Sequence, residues 1–172
     1  MAEKYVVSVC YSRCVADDGT PLPDLENVAS WIRSKRECEL WAGWSVTFPI
    51  DQNSLPSEIG FGEGNTFSLV IEEELVAFGQ LIRKNSQRGH LARLIVNPAL
   101  RGKGYGETLV RALLARARKD SFERVTLNVD IANGPALSLY AKLGFADAQR
   151  PSNEPAPPGN RFMEIQISSQ YS

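Results

Sequence analysis

The chain has 172 residues, a formal net charge of −1 and a hydrophobic content of 43%, which fits a single globular domain over residues 1–172. No apolar run approaches the ~18 residues of a transmembrane helix, and the first residues hold no apolar signal-peptide core, so we expect a cytoplasmic protein without membrane contact. The sole histidine and the three cysteines, Cys10, Cys14 and Cys38, are too few for a zinc site, so we predict no metal and reduced structural cysteines.

The near-neutral total charge hides two oppositely charged blocks. Residues 1–82 hold 5 Lys/Arg and 13 Asp/Glu, a net charge of −8, whereas residues 83–124 hold 11 Lys/Arg and 3 Asp/Glu, a net charge of +8. The basic block would attract an anionic ligand and the acidic block would suit a cationic amine; the alternative is that the blocks are solvated faces, which fits the acidic block better than the basic one. Because the whole chain is slightly acidic and shows no recognisable nucleic-acid module, we expect no nucleic-acid partner.

The first half of the chain predicts two short helices followed by two strands. The helices are predicted over Asp24–Arg33 and Lys35–Trp41, and the strands over Thr66–Ile71 and Leu75–Arg83. Between them, the aromatic stretch Trp41–Pro49 either lines a ligand pocket or packs in the core, where large aromatic side chains usually lie.

The segment Arg101–Gly106, with the sequence Arg-Gly-Lys-Gly-Tyr-Gly, carries the strongest ligand signal. An apolar strand is predicted before it over Leu91–Val96, and an amphipathic helix after it over Glu107–Arg118. Glycines let the backbone turn tightly and let a ligand approach its N–H groups. Because the unpaired N–H groups at a helix start favour an anion, these elements predict a phosphate site, to which Arg101 and Lys103 add two cations.

Two common phosphate-binding patterns do not fit this loop. A Walker-type loop ends in Gly-Lys-Ser/Thr, whereas here Gly104 follows Lys103, and Asn97 stands where the first glycine should be. The dinucleotide pattern G-x-G-x-x-G, counted from Gly102, would need its third glycine at Glu107. The pattern that remains is Arg-x-x-Gly-x-Gly after a strand and a short proline-containing link.

A second segment has the pattern of a strand, a turn and a helix. Apolar and polar residues alternate over Val125–Asp130, and Asn133-Gly-Pro is a turn and helix-start signal. Four residues then recur at helical spacing before a Gly-Phe ending, namely Ala136, Leu139, Tyr140 and Leu143.

The glycine loop and the second segment resemble two motifs of the GNAT-type N-acetyltransferases: the acetyl-CoA pyrophosphate loop and the segment with an Asn, a Tyr and a Leu-Gly-Phe ending. Their order and spacing are those of the family, and the resemblance covers roughly residues 66–146. It implies an α/β (α+β) fold of three layers, with a central mixed β-sheet flanked by helices. The element pattern agrees, since the proline-rich segment Arg150–Gly159 predicts an extended loop and Asn160–Ile167 a closing strand with one apolar face.

The resemblance also implies where acetyl-CoA binds and which group protonates its sulfur. In GNAT enzymes the strand before the loop splays from its neighbour, and its backbone N–H groups bind the pantetheine and thioester. Carried onto this sequence, the coenzyme-binding residues are Leu94, Ile95, Val96, Arg101, Gly102, Lys103, Gly104, Tyr105, Gly106 and Asn133. Tyr140 is the implied general acid for the departing thiolate, although its place on the apolar stripe fits a core residue as well.

The general base is where the sequence departs from the family pattern. Some members carry a glutamate about six residues before the last apolar residue of this strand, and His90, the only histidine, stands there instead. A histidine serves as a base directly or through water, so His90 is the predicted base. The alternatives are water, a backbone carbonyl or a carboxylate of the acidic first half, with Glu72, Glu73 and Glu74 the first to test.

The sequence therefore predicts an N-acetyltransferase that moves an acetyl group from acetyl-CoA to a primary amine of a small molecule or peptide. Another short acyl donor stays open, as does assembly into a homodimer. One alternative is a catalytically silent domain that senses acyl-CoA. A second, from another enzyme class, is a nicotinamide dinucleotide enzyme in which Asp130 holds a ribose.

Overall fold

The computed structural model describes residues 7–11, 23–62 and 64–167. Its helices are α1 (Pro23–Ser30), α2 (Lys35–Ala42), α3 (Leu55–Glu58), α4 (Tyr105–Lys119) and α5 (Gly134–Lys142), with a 3-10 turn at Pro98–Leu100. Its strands are β1 (Val7–Tyr11), β2 (Thr66–Ile71), β3 (Glu74–Arg83), β4 (Arg88–Val96), β5 (Arg124–Asp130), β6 (Ala146–Asp147) and β7 (Asn160–Gln166).

The described strands hydrogen-bond in the order β1-β2-β3-β4-β5-β7-β6. The β4–β5 pair is parallel, while the pairs β1–β2, β2–β3, β5–β7 and β6–β7 are antiparallel, so the sheet is mixed. The predicted fold class, a mixed sheet with helices, is confirmed. In the described residues no helix is both long and apolar enough to cross a membrane.

Contacts divide the chain into two compact units. The first unit holds the described residues up to Gln80 together with Arg93–Val110, and the second holds Leu81–Ala92 and the described residues from Arg111 onward. Strands β3 and β4 and helix α4 therefore each contribute residues to both units. That residues 1–172 form one domain stays a prediction.

In the first unit, helices α1 to α3 pack their apolar side chains against strand residues of the same unit. The cluster contains Leu25 and Val28 of α1, Leu55 of α3, and Phe78 of β3, all nearly inaccessible to solvent. Of the two roles predicted for the aromatic stretch, core packing holds for Trp41 but not for Trp44. Trp41 is a buried member of this cluster, whereas Trp44 is 67% exposed.

Helix α2 begins where the sequence predicts because Ser34 caps it, its hydroxyl accepting a hydrogen bond from the Glu37 N–H at 3.2 Å. Cys38 on this helix is a free, buried thiol whose pKa is raised, chiefly by burial. Cys14 and the side chain of Cys10 lie outside the described residues. Helix α1 ends three residues earlier than predicted, at Ser30, whose hydroxyl donates to the Asn27 carbonyl at 2.6 Å.

Strands β2 and β3 are joined by a two-residue turn of Glu72 and Glu73. Both residues have positive φ, 50° and 66°, as in a type I′ hairpin turn. Both side chains are exposed, as is that of Glu74, which is the first residue of β3, one residue before the predicted start at Leu75.

In the second unit, β5 lies between β4 and β7, and its residues Val125, Leu127 and Val129 are buried. The parallel register with β4 pairs residues 88–91 with residues 124–127, so β4 begins three residues before the predicted Leu91. Met163 of β7 and Ile167, just after the strand, are buried on the predicted apolar face, and Phe162 on the opposite face is buried as well.

Gly89 is a position in this unit where even one methyl group is too large. A Cβ built there would lie 2.8 Å from Leu81 Cδ1 and 3.0 Å from Phe122 Cδ2. We expect Gly89→Ala to lower the free energy of unfolding by about 1–3 kcal/mol, because overpacking a close-packed core displaces its neighbours. Gly134→Ala is the matched control, since a Cβ there meets nothing within 4 Å. Urea unfolding of both variants checks this, and equal stabilities would contradict it.

Candidate active site

The Arg101–Gly106 segment is part of the first unit, and its last two residues, Tyr105 and Gly106, already belong to the 15-residue helix α4. Gly102 and Gly104 have φ of 78° and 85°, the left-handed region that suits glycine, and a Cβ at either would point into open space. The side chains of Arg101 and Lys103 are exposed. The loop therefore presents bare backbone and two cations at the positive end of a long helix, as the phosphate-site prediction requires.

The strand residues predicted to bind the thioester, Leu94, Ile95 and Val96, lie at the end of β4 in the same unit. Ile95 is buried in the core cluster, while Leu94 and Val96 are half-buried on the other side of the strand. The next residue after the strand, Asn97, donates its N–H to the Val76 carbonyl at 2.9 Å. The Asn97 side chain accepts from the Ala99 N–H at 3.0 Å and so starts the 3-10 turn into the loop.

Arg93, just before these residues, has an unusual backbone and a largely buried cation that the sequence reasoning missed. Its φ is 53°, which a residue with a side chain rarely adopts. Trp41 Nε1 donates to its carbonyl at 2.8 Å, and its Nη1 donates to Gln80 Oε1 at 2.6 Å. Gln80 is fully buried and donates to Thr66 Oγ1 at 3.0 Å. This network fixes the backbone immediately before Leu94.

Tyr140 and Asn133 lie in the second unit, on helix α5 and at its start. Tyr140 is 8% exposed and packs edge to face against Phe145, with ring centroids 5.7 Å apart. Burial raises the pKa of its phenol, so the hydroxyl keeps its proton at neutral pH and is available as a donor. Asn133 is the N-cap, accepting from the Ala136 N–H at 3.3 Å. Gly144, with φ of 97°, follows the end of the helix as predicted.

His90 also lies in the second unit and is buried, not exposed at a strand end. Its Nδ1 is 2.8 Å from Thr126 Oγ1, and its Nε2 is 3.5 Å from Asn128 Nδ2. Arg150 in turn donates to Asn128 Oδ1 at 2.9 Å. The predicted site residues thus divide into two groups, one in each unit, and neither Asn128 nor Arg150 stood out in the sequence.

A family model for the acetyltransferase (GNAT) family matches residues 28–145. The chain belongs to this family. The match contains the strand, loop and helix just described and also His90, Asn133 and Tyr140, so it covers every residue predicted for the site.

A curated relative of this GNAT chain is an acetyltransferase, and two solved acetyltransferases share its fold. It is 31% identical over 127 residues to mycothiol acetyltransferase of Corynebacterium efficiens, an alignment that covers 70% of this chain and 41% of that protein. The chain thus spans about two fifths of the length of that relative. The ribosomal-protein-S18-alanine N-acetyltransferase of Escherichia coli has the same fold, with a TM-score of 0.64, 23% identity and 94% coverage of both chains.

A GNAT family acetyltransferase from Elizabethkingia anophelis, solved with acetyl-CoA bound, also shares the fold. Its TM-score is 0.63 with 14% identity, and the match covers 94% of this chain and 98% of that one. The family uses acetyl-CoA. The bare glycine backbone and the two exposed cations of this GNAT chain fit the pyrophosphate of such a coenzyme.

Proposed function

We propose that this protein transfers an acetyl group from acetyl-CoA to a primary amine. The observation that carries the proposal is the Arg101–Gly106 loop, with its left-handed glycines and open backbone at the start of α4, in a chain of the GNAT family. The relatives named above are acetyltransferases, which supports the same reaction type.

The proposed coenzyme contacts follow the chemistry of each residue. The loop N–H groups, Arg101 and Lys103 would hold the pyrophosphate, because they offer donors and positive charge to an anion. The backbone of Leu94–Val96 would hold the pantetheine and thioester, and Asn133 would contact the coenzyme. When bound, acetyl-CoA supplies the activated acyl group and a thiolate leaving group.

The proposed chemistry needs one proton removed and one proton supplied. The amine nitrogen forms a bond to the acetyl carbon while the carbon–sulfur bond breaks. His90 would take the proton that the amine loses, and the Tyr140 hydroxyl would give a proton to the departing sulfur. The buried, protonated phenol of Tyr140 supports the second role.

A screen of primary amines with acetyl-CoA tests the reaction. The panel holds small polyamines, amino acids and short peptides, and the readout is the free thiol released in each turnover. We expect at least one amine to release thiol above the hydrolysis rate and to yield its acetylated product. Tight coenzyme binding without turnover on any class would instead support the alternative of a silent acyl-CoA sensor.

The dinucleotide alternative has less support, since Asp130 Oδ1 already accepts from the Ala132 N–H at 2.8 Å within the turn after β5.

The proposed base is tested by His90→Gln, which keeps polarity and approximate size but loses basicity. We expect kcat/KM to fall near neutral pH and to recover partly as the pH rises, because more of the acceptor then arrives already deprotonated. The measurement is the pH–rate profile of both proteins with one acceptor. Coenzyme affinity serves as the control and should stay unchanged, while the thermal midpoint shows that the variant is folded even though it loses the buried contact with Thr126.

If the pH–rate profiles of the parent and His90→Gln proteins superimpose, His90 is not the general base. Deprotonation would then fall to water, a backbone carbonyl or a carboxylate of the first half. Glu72 and Glu73 lie in the exposed β2–β3 turn and Glu74 is the exposed first residue of β3, so their alanine variants would be tested next.

A further inference from the structure

The surroundings of His90 in the second unit determine which of its two nitrogens carries a proton. The parallel register places His90 opposite Thr126, and Asn128 follows two residues later on the same face of β5. Thr126 is fully buried and faces Nδ1, whereas Asn128 is exposed and faces Nε2. The ring therefore has an inner nitrogen against Thr126 and an outer nitrogen beside an exposed side chain.

Arg150 fixes the orientation of the Asn128 amide. A guanidinium only donates hydrogen bonds, so the amide atom that it contacts at 2.9 Å must be the oxygen, Oδ1. The amide NH₂ group then faces Nε2 of His90 at 3.5 Å. Since that group also only donates, Nε2 must be the nitrogen without a proton.

The inner side of the ring leads to the same assignment. The hydroxyl of Thr126 lies 3.4 Å from the Gly89 carbonyl, to which it donates its single hydrogen. Its oxygen is then left to accept from His90 Nδ1 at 2.8 Å, which requires a proton on Nδ1. Two independent contacts on opposite sides of the ring thus specify one neutral tautomer.

Arg150 is itself held in place by strand β7. Its Nη2 also approaches the Asn160 carbonyl at 3.4 Å, and its guanidinium carbon lies 5.7 Å from the centre of the Phe162 ring. Phe162 pairs with Asn128 in the β5–β7 register and stacks near His90 with ring centroids 6.4 Å apart. Arg88 and Glu154 of the same unit are paired with each other, and Glu154 also interacts electrostatically with His90.

We propose that Arg150 and Asn128 are positioning residues that hold His90 as the neutral tautomer protonated on Nδ1, leaving Nε2 as its proton-accepting nitrogen. For catalysis this rests on the proposed function, in which His90 removes the amine proton. In that step the nitrogen–hydrogen bond of the amine breaks and an Nε2–H bond forms, giving an imidazolium. Because the single lone pair of Nε2 faces the Asn128 NH₂ group, that group must first turn away so that the amine N–H can reach Nε2, and Oδ1 can then accept the new Nε2–H.

Because the chain has one histidine, its ring nitrogens give one set of signals in a long-range ¹H–¹⁵N NMR spectrum of uniformly labelled protein. In mildly alkaline buffer, we expect the parent protein to show a protonated Nδ1 and an unprotonated Nε2. Asn128→Asp replaces the NH₂ donor with an acceptor of the same shape, so we expect Nε2 to become protonated. Asn153→Asp is the matched control, because it makes the same charge change on an exposed residue of the same unit, and should leave the spectrum as in the parent.

Arg150→Met is a second variant that keeps an apolar stem over Phe162 and removes the donor to Asn128. The amide is then free to turn, and we expect signals averaged between the two tautomers. The proposal is overturned if the parent carries its proton on Nε2 or already shows averaged signals. Nε2 remaining unprotonated in a folded Asn128→Asp variant would also overturn it, and if that variant does not fold, the parent and Arg150→Met spectra decide.

The spectra need neither coenzyme nor acceptor, so they separate this proposal from the proposed function. A ring protonated on Nδ1, together with unaltered turnover in His90→Gln, would support the tautomer assignment but show that His90 is not the base. A ring protonated on Nε2, together with lowered turnover in His90→Gln, would support His90 as the base and exclude its positioning by Asn128 and Arg150.

Discussion

Replacing Tyr140 with phenylalanine should lower kcat by roughly 10²-fold or more, the scale typical of losing a general acid, with coenzyme affinity nearly unchanged. The substitution deletes only the hydroxyl and keeps the ring that packs against Phe145. Burial raises the pKa of this phenol, so it carries a proton throughout the neutral range in which the departing thiolate needs one. Steady-state rates of both proteins, measured with an acceptor from the amine screen, give the comparison.

Phe145→Leu is the control that distinguishes the effect of the Tyr140 hydroxyl from the effect of the packing around its ring. It weakens the same aromatic contact but leaves the Tyr140 hydroxyl in place, so stability should fall by about 1 kcal/mol or more while turnover is largely kept. If Tyr140→Phe retains the parent rate, Tyr140 is a core residue only, and the sulfur must take its proton from water or another group.

Introducing a branched side chain at Gly104 should abolish the thermal protection given by acetyl-CoA and weaken binding by at least about tenfold. Gly104 has φ of 85° and nothing within 4 Å of a built Cβ, so in the free protein valine costs backbone strain without a clash. With coenzyme bound, the same side chain would stand where phosphate approaches the backbone. Calorimetric titration of parent and Gly104→Val with acetyl-CoA measures the difference.

Gly60→Val is the matched control for backbone strain. Gly60 also belongs to the first unit, has φ of 56° and has nothing within 4 Å of a built Cβ, but lies outside the loop. We expect it to lower stability as Gly104→Val does while keeping coenzyme affinity. Equal affinity of the parent and Gly104→Val proteins would show that the coenzyme does not approach the loop backbone there.

Elements with a clear period or a clear stop signal could be predicted from the sequence. The strand Thr66–Ile71 was predicted to the residue, and the amphipathic pattern and glycines placed α4 to within two residues at each end. The strand β6 and the single turn of α3 were missed, since two and four residues are too short to show a period. The first three residues of β4, Arg88 to His90, were missed because they depend on pairing with β5, a contact distant in sequence.

The site divides in the same way. The loop and Tyr140 could be proposed from the sequence because motif residues are adjacent or recur at helical spacing, and their roles stay predictions. The partners of His90 could not, because Thr126, Asn128 and Arg150 come from a separate strand and from the proline-rich segment, and only the β4–β5 register and the path of that segment bring them to the ring. Arg93 was missed because its positive φ and its bond with Gln80 have no local sequence signature.

The β2–β3 turn shows that the chain is not optimised for stability at every position. Glu72 and Glu73 both adopt a left-handed backbone, although Asn-Gly is the pair that suits such a turn, and each side chain bears a negative charge within a block that already carries an excess of them. An engineer could therefore replace this pair with Asn-Gly and expect a gain of about 0.5–2 kcal/mol in the free energy of unfolding. The exchange would also remove two negative charges from one end of the hairpin. A protein with a larger free energy of unfolding would stay folded in more of the other variants, so their effects on binding and turnover could be measured separately from unfolding.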